Sequence, residues 1–163
     1  MTTRIIETKV YTIESHPNPG KVYDWIRNNW YDLTQYDVEE AIASLKAFAK
    51  FIGAKLDYAI SASPVRGEYV TFNFEYAEMT LADIGHIDVS GNCPFTGVFY
   101  DEVILDAFRD ESNGKCLETI LNDVEHRILK HIHDETDYLY ADESLRDMCE
   151  ANEYEFTEDG ECV

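Results

Sequence analysis

Positive charge is what this chain has least of. In 163 residues, 13 lysines and arginines stand against 33 aspartates and glutamates, a formal net charge of -20. Arg4, Lys9, Lys21, Arg27, Lys46, Lys50 and Lys55 are scattered through the front third among acids, so there is no basic patch. The summed field opposes direct contact with nucleic acid. Long apolar runs are missing too. No stretch approaches the roughly 20 residues that span a bilayer, and an anionic membrane surface repels a chain of this sign. Met1 to Ile13 alternates polar and apolar residues without the apolar centre of a secretory signal, so the expected location is a cytoplasm. Cysteine is sparse: Cys93, Cys116, Cys149 and Cys162 fall at intervals of 23, 33 and 13. That spacing gives neither a CxxC pair nor a zinc ribbon, and reduced thiols are expected.

Recognisable catalytic signatures are also lacking. There is no glycine-rich phosphate loop, no GxSxG and no HExxH. His126, His131 and His133 gather near the end of the longest helical stretch. His126 and His133 are about 10 Å apart along a helix axis, too far to share one metal, and His131 and His133 diverge. With Lys130 they suit the negative end of a helix dipole. The run from Asp88 to Asn92 resembles a calcium loop only in its start: the glycine at the sixth position and the glutamate at the twelfth are missing. A turn held by Ser90, Gly91 and Asn92 is the expected structure. Cys93 has Asp88 and Asp101 nearby and no cation, which makes it a poor nucleophile. Among 33 carboxylates, pairs arise by chance and argue nothing for acid–base catalysis. The expectation is a protein that is not an enzyme and takes no metal and no cofactor.

What is present is a core. Hydrophobic residues make up 45% of the chain and aromatics 13%, with 11 tyrosines and 8 phenylalanines. Disordered acidic chains lack that content. At this length one domain over 1–163 is expected, burying about 70% of its unfolded surface. Arg4 to Ile13 reads as a strand and Lys21 to Trp30 as a short helix. Val38 to Ile52 reads as a helix capped by Asp37 and ended by Gly53. Lys55 to Ala62 and Glu68 to Tyr76 alternate as a hairpin, and Gly85 to Val89 as a shorter strand. Tyr100 to Arg109 and Cys116 to Leu139 are helical. The latter carries the stripe Leu117, Ile120, Leu121, Val124, Ile128 and Ile132. Asp142 is placed to cap a last helix through Asn152, and Glu153 to Thr157 to return as a strand. Strands first and helices later imply an α+β fold, a small, largely antiparallel sheet with helices packed on one face.

The acids are unevenly placed. From Met1 to Ile60, 8 acids face 7 bases; from Ser61 to His133, 13 face 5; from Asp134 to Val163, 12 face 1. Asp134, Glu135, Asp137, Asp142, Glu143, Asp147, Glu150 and Glu153 are the candidate partner-binding residues. Glu143, Asp147 and Glu150 are four and three apart, so they share a helix face. Such a row, about 5–6 Å between neighbours, approximates the phosphate spacing of one nucleic-acid strand. Tyr138, Tyr140 and Tyr154 are interleaved and offer contact area.

Several blocks of the chain resemble a family of small phage- and prophage-encoded acidic proteins, hypothetical or labelled antitoxin-like. They are MTTRIIETKVYTIE at Met1 to Glu14, SLKAFA at Ser44 to Ala49, KLDYAIS at Lys55 to Ser61, SGNCPFTG at Ser90 to Gly97, and ESLRDMCEANEYEFTEDG at Glu143 to Gly160. The resemblance implies a phage-encoded protein acting in a bacterial host cytoplasm and supplies no catalytic residues. Small acidic phage proteins are often inhibitors of host defence, and DNA mimicry recurs among anti-restriction and anti-CRISPR proteins. The reading that follows is a non-enzymatic inhibitor of a CRISPR effector, restriction enzyme or nuclease, its acidic helical surface occupying a basic nucleic-acid groove. The alternative is an antitoxin-like or regulatory module that neutralises a toxin through the hairpin, without mimicry.

Overall fold

A computed structural model of the protein describes residues 9–30, 33–61, 67–75, 80–84, 87–88, 90–91, 93–113 and 116–163. Among these the fold is α+β and its strand pairing is antiparallel throughout. The sheet is divided into two separate two-stranded pairs. In chain order the elements are β1 (Val10–Thr12), α1 (Pro19–Asn29), α2 (Gln35–Ile52), β2 (Lys55–Ala59), β3 (Tyr69–Asn73), α3 (Phe99–Arg109), a 3-10 turn (Glu111–Asn113), α4 (Leu117–Leu139), α5 (Asp142–Ala151) and β4 (Glu155–Thr157). The chain forms two compact units, Thr34–Thr136 and Met1–Leu33 with Asp137–Val163. Among the described residues no helix is long and apolar enough to cross a membrane.

In the 34–136 unit, the stripe on α4 does what its spacing requires. Leu117, Ile120, Leu121, Val124, Ile128 and Ile132 are all buried, against Leu45, Phe48 and Ile52 of α2 and Val103, Ile104 and Ala107 of α3. The hairpin joins this core by alternation. Leu56, Tyr58, Ile60, Val70, Phe72 and Phe74 pack on it, whereas Asp57, Thr71 and Asn73 are exposed. Phe48 is the aromatic hub, with ring centroids 5.4 Å from Phe72, 5.4 Å from Phe95 and 5.7 Å from Phe108. Its full burial contributes about 1.5–3 kcal/mol. α2 ends where Gly53 adopts a left-handed conformation, φ 71°, which closes helices at little steric cost.

Among the described residues of this unit Asp101 is the one fully buried acid. It lies in the first turn of α3 and reaches back into the preceding loop. Its carboxylate accepts the peptide N–H groups of Phe95 at 2.8 Å, Thr96 at 2.7 Å and Gly97 at 3.0 Å, and the Thr96 hydroxyl at 2.8 Å. Burial works against the charge, but hydrogen bonds from Ser44, Thr96 and Gly97 together outweigh it and hold the carboxyl below its ordinary range.

The other unit has its own core: Ile13, Val22, Tyr23, Ile26, Leu145, Cys149 and Phe156. β1 pairs with β4, Tyr11 opposite Phe156. His16 is buried and fastens the same junction. Its Nδ1 accepts the Asn18 N–H at 3.0 Å, which leaves Nε2 to donate to the Thr157 carbonyl at 2.8 Å. The turn after β4 lies directly on the first turn of α1. A Cβ on Gly160 (φ 87°) would stand 2.6 Å from the carbonyl carbon of Lys21 and 2.8 Å from the nitrogen of Val22.

Two expected helix caps are replaced. α2 starts at Gln35, with Thr34 at the cap position, so Asp37 lies inside the first turn. α5 starts at Asp142 itself, after Ala141. In both helices the carboxylate still sits at the positive end of the dipole, but neither Thr34 nor Ala141 makes a side-chain cap bond. α1 begins two residues earlier than expected because Pro19, with φ preset and no N–H to lose, occupies its first turn. Residues 4–8 of the expected first strand, and Gly85, His86 and Val89 of the expected short one, lie outside the described residues. Ile87 and Asp88 are not in a strand.

Candidate acidic binding surface

α5 presents the predicted row. Leu145 and Cys149, four apart, face the core, which turns Glu143, Asp147 and Glu150 outward together. Arg146 lies among them, its Nε 3.8 Å from Asp147 and 3.8 Å from Glu150. At these distances in solvent the pairing is weak. Asp142 is committed instead to Arg27 of α1. That guanidinium also donates to the Tyr140 carbonyl at 3.1 Å and 2.8 Å and lies 3.7 Å from Asp24. Asp137, Glu143 and Glu153 are exposed. Of the interleaved tyrosines, Tyr138 is 66% exposed. Tyr140 donates its hydroxyl to the Trp30 carbonyl, and Tyr154 packs edge-on to Trp30 at 5.2 Å.

A hollow of about 430 Å³ opens where α5 hands over to β4, lined by four glutamates: Glu14, Glu150, Glu153 and Glu155. Among the described residues no lysine or arginine lines it. Three local features set it up. Glu153 takes a left-handed backbone, φ 54°. The turn closes through Glu153 N–H to Glu150 carbonyl at 3.2 Å and Tyr154 N–H to Cys149 carbonyl at 3.1 Å. The β1–β4 pairing then sets Thr12 opposite Glu155, which brings Glu14 to the rim. Cys149 forms part of the lining as an uncharged group, because burial, with Cys162 and Glu150 adding to it, pushes its thiol up to about 11. Chemically, a ring of carboxylates over an apolar floor suits a guanidinium or ammonium on an aliphatic stem.

Glu150 and Glu153 were legible in the sequence; Glu14 and Glu155 were not. Their link is strand pairing across most of the chain, which only the alternation of residues 10–12 and 155–157 hints at.

The other two predicted residues belong to the 34–136 unit. Asp134 is exposed and bonded to Lys130, which lowers its pKa. Glu135 is half-buried, 4.0 Å from His131 and beside the buried Tyr100. The hydroxyl of Tyr100 is raised far above its ordinary value by burial and then by Asp37, Glu135 and Glu40. The three histidines have separate surroundings. His133 Nε2 meets Glu68 at 2.6 Å, His131 lies 4.9 Å from the Phe99 ring, and His126 is exposed. Among the described residues no group of histidine, cysteine and acid side chains is arranged to hold a metal. Asp88 accepts the Ser90 N–H at 3.0 Å and the Ser90 hydroxyl at 2.6 Å; Asn92 of the expected turn lies outside the described residues. Along α4, Asp123 is bonded to Arg127 and Asn113, and Glu125 to the backbone of Val70.

Compared with protein-family models, with curated proteins and with solved structures, the chain matches none.

Proposed function

We propose that this protein is a phage-encoded, non-enzymatic inhibitor that binds the basic groove of a nucleic-acid-binding host defence complex by standing in for nucleic acid. The observation that carries the reading is the four-glutamate hollow, continued by the outward row Glu143, Asp147 and Glu150 along α5. Of the cations described in the same unit, Lys21, Arg27 and Arg146 lie beside acids and Lys9 lies over the Tyr11 ring, and the acids of the unit outnumber them, so the surface keeps its negative sign. The phage context is supported by the resemblance of the two ends of the chain.

The test is capture of partners from bacterial host lysate on the immobilised protein, with elution by duplex DNA and by salt. A nucleic-acid-binding protein released by competing DNA and lost at 1 M salt, where the Debye length is about 3 Å, is the expected outcome. The double variant Glu150→Lys, Glu153→Lys is expected to weaken its capture by at least about tenfold. Capture that survives 1 M salt and ignores both DNA and the double variant rules out mimicry and favours toxin neutralisation through β2 and β3.

A further inference from the structure

In the 34–136 unit, β3 pairs with β2 along one edge, and among the described residues no strand pairs with the other. The peptide N–H of Val70 lies on that second edge and donates to Oε1 of Glu125, on α4, at 3.3 Å. Backbone groups alternate in direction along an antiparallel strand, so the N–H and C=O of Phe72 point the same way. Between this edge and the helix lies a groove of about 350 Å³, bordered by five consecutive residues, Val70 to Asn73 of β3 and Phe74 just beyond it. Side chains alternate between the two faces of a strand; consecutive residues border one groove only when the backbone edge itself forms the wall. The opposite wall is one face of α4, Leu117, Glu118, Leu121, Asn122 and Glu125. Val70 stands level with Glu125, so β3 and this part of α4 run in opposite directions. The walls match in length: about 13 Å of extended chain and about 12 Å of helix.

We infer that this groove takes an extended, cationic peptide segment of a partner protein, which joins β3 as a third strand. The edge supplies outward N–H and C=O groups for main-chain pairing. Leu117 and Leu121 supply an apolar wall. Among the described residues the charged side chains that line the groove are Glu118 and Glu125, both acidic, and the chain around them carries a net charge of -20. A segment alternating apolar residues with lysine or arginine satisfies both, its apolar side chains toward the leucines and its cations toward the carboxylates. Glu125 holds the place of the missing strand. Its carboxylate accepts the Val70 N–H while the groove is empty, and is released to the peptide's cation once a peptide carbonyl takes that N–H. This site does not depend on the glutamate hollow of the other unit.

An acetylated, amidated heptapeptide of alternating lysine and valine is the probe, titrated into the isotope-labelled full chain and followed by backbone amide shifts. Saturable shifts gathered at Val70 to Phe74 and at residues 117–125 are expected. A glutamate-for-lysine peptide, and one N-methylated on alternate amides, are each expected to bind at least about tenfold more weakly. Glu118→Lys, at an exposed position, should weaken the parent peptide similarly, while Glu150→Lys with Glu153→Lys should not. Equal binding of the N-methylated peptide overturns strand addition, as does a shift map centred on α5 and β4. Concentration-dependent broadening of Val70 to Phe74 without peptide assigns the edge to a second copy of this chain and overturns it too. Loss of the mimicry reading leaves this titration unchanged, so the two fail separately.

Discussion

Asp101 shows how a single carboxylate in an acid-rich chain can be structural. Three backbone N–H groups and one hydroxyl converge on it, and a hydrogen bond to a charged group is worth about 1.5–3 kcal/mol net. These bonds share an acceptor and do not add. Asp101→Ala is therefore expected to destabilise the protein by about 3 kcal/mol, read as a lower urea midpoint. Its folded pKa is depressed, so its contribution is complete above the unfolded value of about 3.9 and is lost as pH falls through the lower, folded value. The wild type should lose stability below about pH 4, and Asp101→Asn should flatten that part of the profile. In the sequence Asp101 is legible only as an acid near Cys93. Its role rests on the bend that aims Phe95, Thr96 and Gly97 at it, and local spacing does not encode that bend.

At the scale of elements, what spacing determines was legible and what distant pairing determines was not. The α4 stripe follows from the 3.6-residue period, and every member is buried. The hairpin follows from period two, and its inward residues are those the alternation picks out. Asp37 and Asp142 mislead because an acid is favourable both at a cap and within the first turn; only the backbone decides which. The β1–β4 pair has three residues per strand, too short for a periodic signal, and it is what completes the glutamate hollow. The turn that follows β4 is under the tightest constraint. Gly160 combines a left-handed φ with backbone atoms of Lys21 and Val22 inside contact distance of any Cβ, and backbone cannot step aside as a flexible side chain does. Gly160→Ala is expected to cost about 2 kcal/mol or more and to lower Tm by roughly 4–8 °C, measured by thermal circular dichroism.

For the molecule as a whole, 33 acids against 13 bases leave most carboxylates uncompensated. Surface pairs such as Lys130 with Asp134 contribute little and weaken in salt, but the repulsion that salt relieves is spread over many more groups. Tm should therefore rise as sodium chloride increases from about 0.01 to 0.15 M, a change in Debye length from about 30 to 8 Å. A falling Tm would mean that the ion pairs outweigh the net charge. The two cores carry a consequence for how the protein is born. The unit containing β1 and α1 draws its remaining elements from Asp137 to Val163, and Tyr11 must wait for Phe156. At about 5–20 residues per second on the ribosome, about 145 residues of synthesis take roughly 7–29 s. Through that interval Val22, Ile26 and the rings of Trp25 and Trp30 have been made, while the residues destined to cover them have not. The first helix of this protein is thus exposed to chaperones until the last strand leaves the tunnel.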